Sequence, residues 1–351
     1  MRELGSSSFN SFLLIMKPGI YTFANDVVYD QLVALLNSIE ANAGHEIPVC
    51  VIPYNDQITQ VSAEIKSRKN VTLFDDQNSI DFWENFAAEA WQSHPQAQAG
   101  WKNNTYQVVR HRKLCCFDGP FEQFIYFDAD TLMLGSVDQI YEKLANYDWI
   151  TYDFQYRSDL KYIFDPSQPN LRQVFTENDL KSKIFCSGWF ASKKGVFPSE
   201  MLTELLVKLK NGESQLMAFR GDASDQSLLN YLVLRSGISY YNFADHGVES
   251  ATGNHWSSEF EEIEHRLYDR GTPLTYLHYM SISSQEFQKL CGGENVGIPY
   301  QDLFLYYRYL GVPGSPPLLK SASQWVKFQR QFKKWCRQKV KNLQRKLTTK
   351  N

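Results

Sequence analysis

Phe124-Ile125-Tyr126-Phe127-Asp128-Ala129-Asp130-Thr131-Leu132-Met133-Leu134 decides how the rest of this chain is read. Its four leading apolar or aromatic residues have the length and composition of a strand buried on both faces of a parallel sheet. Two carboxylates follow at once. In open α/β sheets ligands collect beyond the carboxyl ends of strands, so this spacing puts two oxygen ligands at the mouth of a crevice. Side chains two apart in extended backbone point the same way. Asp128 and Asp130 can therefore share a hard cation whose other positions go to water and substrate phosphates. A solvated turn accounts for the two acids as simply, but it has no need of Leu132, Met133 and Leu134 directly after them.

Upstream, residues 19–23 read as a short strand. Val28, Leu32, Leu35, Leu36 and Ile39 follow at helical spacing. Residues 47–53 give a second strand, 61–66 a helix and 71–74 a third strand. Downstream, 137–144 reads as a helix, 149–152 as a strand, 185–191 as a strand interrupted by Ser187-Gly188, 199–210 as an amphipathic helix and 274–279 as a strand carrying His278. This alternation predicts an α/β fold: a single Rossmann-like, mostly parallel sheet with right-handed crossovers and helices on both faces.

With 351 residues and 43% hydrophobic content the chain can bury one large domain or two ordinary ones. No run of 18 apolar residues is present, and 12–16 is too short for the apolar core of a signal peptide, so a cytoplasmic location is expected. Six cysteines without a C-x-x-C pair suit reduced thiols and argue against a zinc site. Charge is uneven. Residues 303–351 hold 12 Lys or Arg and no acid, leaving 24 basic against 39 acidic residues before them, a body near −15. The turn formers around Pro313 and Pro316 divide a body over 16–312 from a basic tail over 313–351.

Three further stretches carry candidate chemistry. Residues 109–116 alternate basic and apolar side chains with the breadth of a helix directly ahead of the central strand, which either aims a cation at a diphosphate or presents a solvated basic face. His111 there is read as a packed residue. In 221–232, Ser224 or Asp222 can cap a helix with acids in its first turn, which explains part of the acid cluster but does not require Gln226 or Asn230. His278 sits on its strand as a packed core histidine unless a partner for it is found.

Read together, residues 112–116, 127–134 and 137–141 resemble the centre of the retaining glycosyltransferase family that includes glycogenin and the bacterial lipopolysaccharide galactosyl- and glucosyltransferases. Residues 22–29, 185–190 and the Asp225-Gln226-x-x-Leu229-Asn230 helix start resemble further blocks of that family in the same order. The resemblance implies the GT-A nucleotide-sugar fold over one catalytic domain and transfer of a hexose from a UDP-sugar to a saccharide or glycolipid, with retention. It implies Mn²⁺ (or Mg²⁺) on Asp128, Asp130 and His278, and Lys113 at the donor phosphates. Thr22, Asn25 and Tyr29 would cradle uridine, and Ala129, Ser187 and Gly188 would line the donor. Asp225 and Gln226 would be the catalytic residues at the anomeric carbon. Cys186 stands where the family carries Asn.

A competing resemblance is to haloacid-dehalogenase phosphatases. In that alternative Asp128 is the nucleophile, Asp130 the acid/base, and the stretch from Gly221 to Asp225 a late metal motif. In the tail, Trp325, Phe328, Phe332, Trp335, Val340, Leu343 and Leu347 recur at mostly three- and four-residue steps, with Lys and Arg between them. The pattern predicts a basic amphipathic helix. Such a helix either packs its apolar stripe back on the acidic body or, the preferred reading, lies on an anionic membrane surface beside a lipid-linked acceptor; the acidic body speaks against nucleic acid.

Overall fold

The computed structural model describes residues 18–100, 108–153, 160–246, 253–312 and 316–320. Strand β1 (Pro18–Ala24) is followed by α1 (Tyr29–Ala43), β2 (Val49–Pro53), α2 (Thr59–Ser67), β3 (Val71–Leu73) and α3 (Gln77–Gln92). A 3₁₀ helix over Arg110–Phe117 precedes β4 (Gln123–Asp128), β5 (Thr131–Met133), α4 (Asp138–Leu144) and β6 (Trp149–Thr151). Then come β7 (Trp189–Lys193), α5 (Ser199–Lys210), α6 (Asp225–Ser236) and β8 (Tyr240–Asn242). The last part holds β9 (Glu261–Ile263), β10 (Arg266–Asp269), β11 (Thr272–Pro273), β12 (Tyr276–His278), α7 (Ser284–Cys291) and α8 (Gln301–Arg308).

Seven strands form one sheet in the order β3-β2-β1-β4-β7-β6-β8. Parallel pairing joins β1 to β2, β2 to β3, β1 to β4 and β6 to β8, whereas β7 runs against both of its neighbours. The sheet is thus mostly parallel, and its strand order reverses between β1 and β4. At such a reversal the crossovers diverge to opposite faces and leave a crevice at the strand ends.

The apolar runs feed two cores by strict alternation. Phe124 and Tyr126 of β4 join Tyr21, Cys50 and Ile52 against α3, α5 and α6. Ile125 and Phe127 join Ile20, Val49 and Val51 against α1, α2 and α4. A sheet covered on both sides needs this continuous apolar pattern, because neither face meets water. A third cluster packs Leu132, Leu134 and Leu277 with α7 and α8. Its centre is the antiparallel pair β5–β12, in which His278 lies opposite Thr131.

Three local expectations change. The Asp128–Asp130 stretch is not one extended strand: β4 ends at Asp128, Ala129 and Asp130 turn, and Thr131 Oγ1 closes the turn by donating to the Asp128 carbonyl at 2.7 Å. Strand β7 starts only at Trp189, because the preceding Phe185 spends its backbone amide and carbonyl on the side-chain amide of Asn230, at 3.0 and 2.9 Å. The basic stretch before β4 is a 3₁₀ helix, Arg110–Phe117. Five cysteines among the described residues are free thiols. No helix among the described residues is long and apolar enough to cross a membrane. The amphipathic helix expected in the tail lies outside the described residues.

Candidate active site

The end of β4 and the turn after it place Asp128 and Asp130 at the β1/β4 reversal. The register of β12 on β5 brings His278 alongside. Ligand atoms of Asp128, Asp130 and His278 all lie within 4.8 Å of one another, and His278 Nε2 is 3.2 Å from Asp130 Oδ1. Two carboxylates and an imidazole at that spacing can hold one divalent cation, with a donor set suiting Mn²⁺ somewhat better than Mg²⁺, which prefers oxygen throughout. Burial alone would lower the His278 pKa and raise that of Asp130. Each is nevertheless the other's strongest charge partner, so His278 is held well above the usual imidazole range and Asp130 below the usual carboxylate range.

Asp128 is fixed from three sides. Its backbone amide donates to the Gly188 carbonyl at 2.8 Å. Tyr126, two residues back on the same side of β4, donates its hydroxyl to Asp128 Oδ1 at 2.7 Å, and Lys113 Nζ lies 2.9 Å from the same oxygen. The Tyr126 ring is stacked on Phe190, with centroids 4.9 Å apart, so its hydroxyl has little freedom to move away. Tyr126 went unnoticed in the sequence, yet the period-two alternation that buries Phe124 also aims Tyr126 toward Asp128.

Lys113 is 4% exposed and sits between two carboxylates, with its Nζ also 2.8 Å from Asp225 Oδ2. Asp225 opens α6 beside the cap Ser224, whose hydroxyl accepts from the Ser227 amide, and the helix N-terminus favours its negative charge. Ser187 Oγ donates to Asp225 Oδ2 at 2.9 Å and the Ser187 amide to Gln226 Oε1 at 3.2 Å. Burial would raise the Asp225 pKa; Lys113 above all, then His111 and the Lys113 and Ser187 hydrogen bonds, bring it down to about 2. Asp225 is therefore an ionised, desolvated carboxylate at the edge of the cleft.

A cleft of about 590 Å³ is lined by Asn25, Lys113, Asp128, Ala129, Asp130 and Asp225, together with Tyr54, Asn55 and Arg110. Asn25 caps the turn after β1, accepting from the Val27 amide at 3.1 Å, and donates to Asn55 Oδ1 at 3.2 Å. Gly188 packs behind the cluster. A Cβ there would overlap His278 Cε1 and come within 3.0 Å of Asp128 Oδ2, so only glycine lets these two ligands meet.

Two residues expected at the nucleotide lie elsewhere. Thr22 is fully buried inside the sheet, and its Oγ1 has no hydrogen-bond partner. Tyr29 faces a separate cavity with Arg68 and Arg308, its hydroxyl donating to Glu64 at 3.0 Å. The causes differ: Thr22 lies inside the packed sheet, in register with Phe127 of β4, and Tyr29 opens α1 beyond the 3₁₀ turn Asp26–Val28, whereas Phe23, Ala24, Val27 and Val28 on either side of Asn25 line the cleft. Gln226 is withdrawn to an adjoining cavity. His111, read as packed, is buried between Trp91 Nε1 and the Val108 carbonyl.

The geometry gives the phosphatase alternative no support. Its late metal motif would have to share a cation with Asp128, yet the cation between Asp128 and Asp225 is Lys113, and Asp222 is paired with Arg110 at 2.8 Å.

No family model matches the chain, and no curated protein matches it. Solved structures do. Mouse xyloside xylosyltransferase 1 in its apo form is 12% identical, covering 64% of this chain and 84% of that one, with a TM-score of 0.48. The bifunctional glycosyltransferase WbbM is 13% identical over 83% of this chain and 49% of its own, with a TM-score of 0.49. The galactosyltransferase LgtC, solved with donor and acceptor sugar analogs, is 15% identical over 78% and 95%, with a TM-score of 0.47.

Proposed function

We propose that this protein is a metal-dependent glycosyltransferase that moves a hexose from a UDP-sugar to a saccharide or glycolipid acceptor, with retention of anomeric configuration. The observation that carries this reading is the Asp128, Asp130 and His278 cluster opening on the same cleft as the ionised Asp225. A sugar nucleotide already holds a good leaving group, and a divalent cation, when bound, supplies Lewis-acid stabilisation of charge on the departing diphosphate.

The chain's own residues supply the rest. Lys113 brings a fixed positive charge to the boundary between diphosphate and sugar and orients both Asp128 and Asp225. In transfer, the bond from the anomeric carbon to the diphosphate oxygen breaks with its electron pair leaving on UDP, and the acceptor oxygen forms the new glycosidic bond while its proton passes to the departing diphosphate. Asp225 serves retention either as the carboxylate nucleophile of a double displacement or as stabiliser of an oxocarbenium-like state. The tail is assigned to an anionic membrane surface on its alternation of aromatic and basic residues, which would hold the domain beside a lipid-linked acceptor.

A thermal-shift series with nucleotides, with and without Mn²⁺, tests the reading. UDP should raise the melting temperature only when the metal is present. Stabilisation by beryllofluoride with no response to UDP would instead identify a phosphatase.

A further inference from the structure

Beside the cleft of the carboxylates lies a second cavity, of about 770 Å³, lined among others by Tyr162, Arg220, Asp222, Gln226, His255 and Ser281. It adjoins the reacting region through consecutive residues: Asp225 faces the first cavity and Gln226 the second. Its walls are mostly hydroxyl, amide and imidazole groups around one aromatic ring. Such walls suit a saccharide, whose many hydroxyls find polar partners there.

Charge distinguishes this cavity further. Asp222 brings a carboxylate to the wall, but Arg110 neutralises it at 2.8 Å. Arg220 lies 4.6 Å over the Tyr162 ring, and among the described residues no carboxylate comes within ion-pair distance of its guanidinium. This is unusual in context, because the body before the tail carries 39 acids against 24 basic residues. Among the described residues, the wall of this cavity thus holds a guanidinium without a carboxylate partner, the form best suited to gripping a planar or tetrahedral oxyanion.

We propose that this cavity receives the acceptor as an anionic saccharide, a sugar bearing a carboxylate or a phosphate, with Arg220, held against the Tyr162 ring, as its counter-ion. The word acceptor rests on the glycosyltransferase reading; the anion preference rests on the cavity's own side chains.

Three probes decide it by calorimetric titration into the full chain at low salt without nucleotide: methyl glucoside, methyl glucuronide and glucose 6-phosphate. At least one charged probe should bind about tenfold more tightly than the neutral one, and added salt should erode the difference. The better charged probe tells carboxylate from phosphate. Arg220→Gln should abolish the advantage and leave methyl glucoside unchanged, while Arg220→Lys should keep part of it, which settles the point should the Gln variant fold poorly. Equal affinity for charged and neutral probes, or an advantage that survives Arg220→Gln, overturns the inference. UDP with Mn²⁺ is titrated in parallel. Normal metal-dependent UDP binding without anion preference removes this inference alone, whereas anion preference without UDP binding removes the glycosyltransferase reading and leaves the cavity's ligand class standing.

Discussion

Lys113 Nζ lies 2.8 Å from Asp225 Oδ2, deep enough that the lysine is 4% exposed. The same ammonium reaches Asp128 at 2.9 Å, so a single buried cation ties the carboxylate assigned to the metal to the one assigned to the sugar. Lys113→Met would leave two partly desolvated carboxylates without their partner, at a cost of about 3 kcal/mol, the low end for broken buried pairs because Asp128 keeps some contact with water. Urea unfolding should show that loss. Mn²⁺ should then raise the melting temperature of the variant more than that of the wild type, since the ion takes over the neutralisation. A smaller Mn²⁺ effect in the variant would mean that Lys113 helps to build the metal site instead of standing in for the cation.

Binding and chemistry should separate. Asp130→Ala removes a ligand and is expected to abolish Mn²⁺-dependent UDP binding in calorimetry. Asp225→Asn should leave UDP affinity within about threefold and cut turnover by about 10²-fold or more, because it acts at the sugar and not at the diphosphate. Equal loss of UDP affinity in both variants would refute this division.

Gly188→Ala tests the packing behind the ligands. The added methyl overlaps the His278 ring, which must turn away from Asp130. Mn²⁺ affinity should fall about tenfold or more, the scale seen when a ligand's orientation is lost, while the far-ultraviolet circular dichroism stays unchanged. Unaltered Mn²⁺ affinity would remove His278 from the metal site.

Acid stability should depend on His111. Burial, its largest influence, lowers the His111 pKa to about 4; Asp225 and the Val108 carbonyl oppose that, and Lys113 and Arg110 assist it. Because the folded value lies below the unfolded one, the unfolded chain takes up the proton first. The contribution is complete above about pH 6.5 and is lost as pH falls toward 4. Between pH 7 and pH 5 this residue should cost about 2 kcal/mol in urea unfolding. His111→Gln, able to meet Trp91 and Val108, should flatten that part of the slope; an unchanged slope would mean that the loss arises elsewhere.

For the tail, full-length protein should sediment with phosphatidylglycerol vesicles and not with phosphatidylcholine vesicles, in a salt-sensitive way. Replacing Trp325, Phe328, Phe332 and Trp335 with Ser should release it. Undiminished sedimentation of that variant would place the membrane contact elsewhere or reduce it to charge alone.

How much of this could be read along the chain follows from the range of the forces involved. Strand and helix alternation, the central strand at Phe124 and the helix start at Ser224 were all legible, because periodicity and capping act within a few residues. Asp128 and Asp130 were legible as a pair, although the turn that closes them was not, since it depends on one hydroxyl, that of Thr131, finding the Asp128 carbonyl. Other relations needed chain segments far apart to pack. His278 reaches Asp130 only through the register of β12 on β5, Lys113 meets Asp225 only because α6 docks beside the 3₁₀ helix, and Thr22 and Tyr29 miss the cleft because one is sealed inside the packed sheet and the other meets Glu64 of α2. Such pairings are selected by burial of apolar side chains across the whole sheet. That choice is cooperative, and no short window of residues encodes it.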